Sequence, residues 1–98
     1  MWLRAGTRAA FLEKSKGYVA SSQADNGCIY FHIAPMQEEP DVVIVIEAWE
    51  SLETHRAHSA SDYAKAFQPV AGEFILRGNF HEMNVDNPES VVFDLSKG

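Results

Sequence analysis

Five consecutive β-branched residues, Val42 to Ile46, constrain this chain more than any other feature. Such side chains are stiff about their first torsion and pack well on a pleated surface. The stretch continues to Glu50, and its apolar side chains fall on both faces of an extended strand. A strand of that kind belongs in the middle of a sheet that is covered on both sides. The run is also the longest apolar one, far too short to span a bilayer.

The rest of the chain is read outward from this strand. Residues 1–5 form a strand stub, and Gly6 and Thr7 open a helix, with Thr7 as its cap. Phe11, Leu12, Ser15, Tyr18, Val19 and Ser22 recur at helical spacing. Gly17 weakens that helix by about 1 kcal/mol relative to alanine. Asn26-Gly27 is a turn signal, and Cys28 to Ala34 is a strand. The polar, proline-bearing stretch 35–41 is a loop. Ser51 caps a short helix through His58, and Ser59 with Asp62 fits a capping box for a second helix. Its apolar side is Ala60, Tyr63, Ala66, Phe67 and Val70. Alternation from Gly72 to about residue 84 predicts another strand, and 91–95 a short strand or arm.

The order β-α-β-β-α-β predicts an α+β fold of ferredoxin-like type, an antiparallel sheet with helices on one face. At 98 residues the chain has room for one domain, residues 1–98, with 85–98 as a C-terminal arm. The second apolar face of the central strand needs a cover, and a second copy of the same sheet would provide it. A homodimer is therefore expected.

Composition excludes several partners. The formal net charge is -6, and the eight lysines and arginines are scattered. Nucleic acid and anionic membranes both call for concentrated basic charge, so neither is an expected partner. One cysteine, Cys28, allows no intrachain disulfide and no thiolate cluster. With no signal-peptide pattern at the N-terminus, the expected location is the cytoplasm.

The block EAWESLETHRAHSASDYAKAF, residues 47–67, resembles the antibiotic biosynthesis monooxygenase family of small dimeric α/β-barrel proteins. Glu47, Trp49, Ser51, Glu53, His58 and Tyr63, followed by Phe67, carry the likeness, and Gly27-Cys28 opening the second strand adds to it. The sequence departs in two places: only five residues precede Gly6, and Phe31 stands where a tyrosine is common, with Tyr30 beside it. The resemblance implies a ferredoxin-like dimer. It implies a range of functions: cofactor-free oxygenases, quinol oxygenases, haem-degrading enzymes and isomerase-like proteins. The haem-degrading pattern is missing here. No asparagine lies on the first strand, His58 occupies the tryptophan position, and Gln68 occupies that of the ligand histidine.

His58 is the expected catalytic residue. A neutral imidazole takes a proton from a phenol or hydroquinone near neutral pH. The plainer reading is a histidine that braces two short helices. Backbone N–H groups left free at the helix break would add stabilisation for an anionic oxygen. Trp49, Tyr63, Glu47, Tyr30 and His81 are the expected substrate-binding residues, each with a structural alternative. Trp49 can simply pack, Glu47 can pair with a cation, and His81 can face a dimer seam. His55 is expected at the surface. The four histidines lack metal-ligand spacing and there is no phosphate loop, so no metal and no organic cofactor are expected. The expected activity is a cofactor-independent monooxygenase acting on a small phenolic, quinol or polyketide-like molecule. The alternative is a dimeric protein that binds or isomerises a small apolar or aromatic ligand without oxygenase activity.

Overall fold

A computed structural model describes residues 1–85. The expected arm lies outside these residues but for its first position, as does the strand expected at 91–95. The described elements are β1 (Trp2–Leu3), α1 (Arg8–Lys14), α2 (Lys16–Ala24), β2 (Cys28–Pro35), β3 (Val43–Trp49), α3 (Leu52–Ser59), α4 (Asp62–Phe74) and β4 (Ile75–Arg77).

β2 and β3 form a long antiparallel pair, in register from Tyr30 opposite Ala48 to Pro35 opposite Val43. β1 pairs antiparallel with β4. A single bridge, Trp2 opposite Val42, joins the two ladders. The Leu3 N–H also donates to the Asp41 carbonyl at 2.7 Å, and the Val43 N–H to that of Met1 at 3.0 Å. The strands therefore run β4-β1-β3-β2, as in a ferredoxin-like sheet, but as two ladders sharing one bridge instead of one continuous four-stranded ladder. The outer strand β2 lies against α2, where Gln23 Nε2 donates to the Phe31 carbonyl at 3.0 Å.

Several local expectations are corrected. The first helix is two helices meeting at buried Ser15. The Ser15 hydroxyl donates back to the Leu12 carbonyl at 3.0 Å, an alternative partner that competes with helical pairing. Thr7 caps by position only, since its hydroxyl donates to the Arg4 carbonyl and not to the helix. Ser61, not Ser59, caps α4, and its Oγ accepts from the Ala64 N–H at 3.2 Å. The expected strand from Gly72 is helix as far as Phe74, and only Ile75–Arg77 is strand. There the apolar spacing of Phe67, Val70 and Phe74 prevails, because Phe74 is needed in the core. The helix runs through Pro69, whose missing N–H leaves the Lys65 carbonyl without its helical donor. Ser51 caps α3 as expected, in a capping box with Thr54.

The core is Leu3, Phe11, Val43 and Phe74, with Phe67, Val70 and Ile33 packed against it. Phe11 meets Phe74 edge-on at 5.8 Å between ring centres. Within one chain β3 is covered on one face only. Val43 is sealed, whereas Ile44 and Ile46 on the other face are 42% and 50% exposed and Tyr30 of β2 is 45% exposed. Gly27 takes a positive φ of 79° in the turn before β2. A Cβ there would lie 2.5 Å from Thr54 Cγ2, so the turn and α3 are in direct contact.

Candidate functional site

The capping box at Ser51 fixes the start of α3, and about two turns later the helix carries His58 inward. The imidazole is only 3% exposed. Trp49, at the end of β3, lies over it with ring centres 4.5 Å apart. Phe31 of β2 approaches from the sheet at 5.5 Å. Tyr18 of α2 stacks flat on Phe67 of α4 at 4.3 Å, and its ring centre lies 5.9 Å from that of His58.

Both imidazole nitrogens have partners. Nδ1 is 2.7 Å from the Tyr63 hydroxyl, and Nε2 is 3.2 Å from the Tyr18 hydroxyl. Tyr63 in turn donates to Asp25 Oδ2 at 2.6 Å. Asp25 ends α2, and its Oδ1 accepts from the Asn26 N–H at 2.8 Å. Four side chains from α2, the following turn, α3 and α4 thus form one line.

Burial sets the ionisation of this group. It lowers the pKa of His58 below the usual histidine range, and the charges of Glu47 and Asp25 only partly oppose it. This favours the neutral ring near neutral pH. Tyr18 is pushed up to about 12, first by burial and then by the charge of Glu47. Tyr63 is also pushed up to about 12, by burial and by its bond to Asp25. Burial, with Glu47 and Asp25, raises the Cys28 thiol, so it is not a ready nucleophile.

A second polar group lies beside the first. Trp49 Nε1–H donates to Glu47 Oε1 at 2.9 Å. His55 Nε2 lies 3.3 Å from the same oxygen. His55 is thus half-buried and paired, against the expectation of a surface residue.

Of the residues singled out in the sequence, the structure brings together His58, Trp49 and Tyr63, with Glu47 held by Trp49. Tyr30 is on the open face of the sheet, beside His32. His81 is exposed in the irregular stretch after β4. Tyr18 and Asp25, the other members of this hydrogen-bonded group, are not among the residues singled out in the sequence. At the helix break the Ser61 N–H donates to the His58 carbonyl, and the Ala64 and Lys65 N–H groups donate to Ser61, whereas those of Asp62 and Tyr63 have no hydrogen-bond partner among the described residues. Two surface cavities, of about 370 and 240 Å³, lie elsewhere, and His58, Trp49 and Tyr63 line neither. The larger is bounded by Leu12, Val19, Ala20, Gln23, Ile33 and Pro35. Among the described residues no three His, Cys, Asp or Glu side chains are grouped to hold a metal ion, and no helix is long and apolar enough to cross a membrane.

Comparison with solved structures gives the same architecture. A conserved protein of Methanosarcina mazei superposes with a TM-score of 0.73 at 19% identity, over 79% of this chain and 76% of that one. A candidate antibiotic biosynthesis monooxygenase of Nitrosomonas europaea gives 0.72 at 16% identity, over 78% and 80%. A Pseudomonas aeruginosa protein gives 0.71 at 17% identity, over 79% and 78%. At these identities the likeness establishes the fold alone. No curated protein matches the chain. The family model described as antibiotic biosynthesis monooxygenase matches residues 1–70, which include His58, Trp49, Tyr63, Tyr18 and Asp25. The chain belongs to the antibiotic biosynthesis monooxygenase family.

Proposed function

We propose that this chain is a cofactor-independent monooxygenase acting on a small phenolic, quinol or polyketide-like substrate, and that it works as a homodimer. One observation carries the reading: a buried, neutral imidazole faces a phenolic oxygen, that of Tyr18, at hydrogen-bond distance. A substrate phenol replaces the Tyr18 hydroxyl at Nε2 like for like, with Trp49, Phe31 and Phe67 as aromatic walls. His58 takes the phenolic proton, and the resulting anion is electron-rich enough to reduce oxygen directly. One oxygen atom enters the ring and the other leaves as water. The substrate supplies both electrons and leaves as a quinone, so no external reductant is consumed. Glu47 and Trp49 hold the neighbouring wall, and Tyr63 supports His58. Tyr30 and His81 lie apart from this group and have no part in the reading.

The dimer rests on the exposed face of β2 and β3. Ile44, Ile46 and Tyr30 form an apolar surface that a second sheet would cover. Light scattering at micromolar concentration should give twice the chain mass, and Ile46→Asp should give a folded monomer. A wild-type monomer contradicts the pairing.

Oxygen uptake on a panel of quinols and anthrones tests the chemistry. His58→Ala should lower turnover roughly 10²-fold or more while the dimer persists. Unchanged turnover would leave His58 a brace between helices. The second reading, a dimeric binding protein or isomerase, is favoured by the very closeness of the packing, since both nitrogens of His58 are already occupied. Saturable binding of the same compounds without oxygen consumption would select it.

A further inference from the structure

The line of hydrogen bonds through His58 has a direction, and the direction follows from counting protons. Asp25 as a carboxylate only accepts. A tyrosine hydroxyl has one proton to give. The Tyr63 oxygen lies 2.6 Å from Asp25 Oδ2 and 2.7 Å from His58 Nδ1. If Tyr63 gave its proton to His58, two oxygens 2.6 Å apart, one of them charged, would face each other with no proton between them. The proton therefore lies toward Asp25, in a charge-assisted bond of the short kind. The Tyr63 oxygen is then an acceptor for His58, and Nδ1 must carry the imidazole proton. In a neutral ring Nε2 is left with the lone pair, and the Tyr18 hydroxyl donates to it at 3.2 Å.

We propose that Asp25 is a positioning residue which, through the Tyr63 hydroxyl, holds His58 as its Nδ1–H tautomer and keeps the basic lone pair of Nε2 aimed at the phenolic position. The inference rests on the monooxygenase reading for its purpose but not for its geometry. Asp25 suits the role because both its oxygens are committed. Oδ1 accepts from the Asn26 N–H at 2.8 Å, and this leaves Oδ2 fixed toward Tyr63. The backbone is held as well, since the Asp25 N–H donates to Ser22 and the Asp25 carbonyl accepts from Cys28. A base buried this deeply gains from such an anchor. The reverse tautomer would present an N–H to the substrate hydroxyl and could not take its proton.

The test needs no substrate. Long-range proton–nitrogen correlation spectra of the ligand-free, nitrogen-15-labelled protein near neutral pH distinguish the protonated from the unprotonated ring nitrogen of each histidine. Wild-type His58 should show a protonated Nδ1 and a bare Nε2. Asp25→Ala releases the Tyr63 proton to point at Nδ1, and the two nitrogens should exchange character, with Nε2–H donating to the Tyr18 oxygen. Tyr63→Phe keeps the ring but removes the acceptor, and should produce the same exchange. It also keeps the test open if Asp25→Ala does not fold. A wild-type Nε2–H tautomer, or an unchanged Nδ1–H tautomer in the folded variants, overturns the proposal. The monooxygenase reading fails separately, in oxygen uptake. Once a turning-over quinol is known, Tyr63→Phe should lower kcat at least tenfold with KM little changed.

Discussion

The two ends of the chain's interior are closed to the same degree by different chemistry. Phe11, at 0% exposure, sits among Leu3, Val43 and Phe74, hydrocarbon on every side. His58, at 3%, sits among Tyr18, Tyr63 and Trp49 and relies on hydrogen bonds to occupy its place. At the first end a side chain is held by area removed from water, which is tolerant of direction. At the second, each polar group must meet a partner at the right angle, or the cost of removing it from water is not recovered. A small domain could have filled this space with leucine; here Tyr18, His58, Tyr63 and Asp25 form a hydrogen-bonded line instead.

Substitutions at each end should separate these two kinds of interior. Phe11→Ala removes a ring with no polar duty and leaves a cavity. It should cost about 3–5 kcal/mol in urea unfolding, a large share of what a domain this size has. A loss below about 1 kcal/mol would mean that end collapses freely and is not the core. Gly27→Ala attacks the joint between the site turn and α3. A methyl group meets Thr54 and the backbone sits at positive φ, so about 2–4 kcal/mol should be lost. Near-wild-type stability would show that the turn can move away from α3. His58→Leu converts the second end into an imitation of the first. It strands the Tyr18 hydroxyl and leaves the Tyr63 oxygen with its bond to Asp25 alone, and should cost about 1–3 kcal/mol, less than Phe11→Ala because the packed volume is partly kept. A variant more stable than wild type would show that the histidine is retained at a cost, and would sharpen the contrast.

The smallest effect is a pH slope. Burial lowers the native pKa of His58, so the unfolded chain binds that proton more readily. This contribution to stability is fully present above the unfolded value of about 6.5 and is lost as pH falls from there through the lower native value. Between about pH 7.5 and 5.5 the wild-type urea midpoint should fall more than that of His58→Leu, which has no such proton to bind. Parallel slopes in the two proteins would contradict a neutral, buried imidazole.

Much of this arrangement was legible in the sequence. The strand Val43–Trp49, the Ser51 cap and the Tyr63, Phe67 and Val70 part of the α4 stripe follow from periodicity and capping, which are local properties, whereas Ala60 and Ala66 of the expected stripe are exposed and Ala64 is buried instead. His58, Trp49 and Tyr63 were legible through the family pattern. Tyr18 was read only as part of an apolar stripe. A tyrosine on a buried face must place its hydroxyl, and that requirement was the signal available. Asp25 gave no such hint, because an aspartate before Asn-Gly is already explained by the turn. Its meeting with Tyr63, 38 residues away, exists only after α2 and α4 pack. Tyr30 follows the two-residue period of β2 and so faces away from Phe31 and the site. The misplaced strand at 72–84 shows the other limit. Phe74 fits an alternating pattern and a helical one equally well, and the demand of the core decided between them.

The hydrogen bond from Gln23 to the Phe31 carbonyl bears on how readily the sheet edge could take up a foreign strand. β2 is the outer strand of its ladder and carries exposed Ile29, features that invite a foreign strand to add itself and start a fibril. The glutamine amide already occupies a carbonyl on that strand, and the helix bearing it lies against the strand. An incoming strand must first peel α2 away. Addition of a strand at this edge is therefore expected to wait on release of the nine-residue helix α2, a local opening short of unfolding the whole domain.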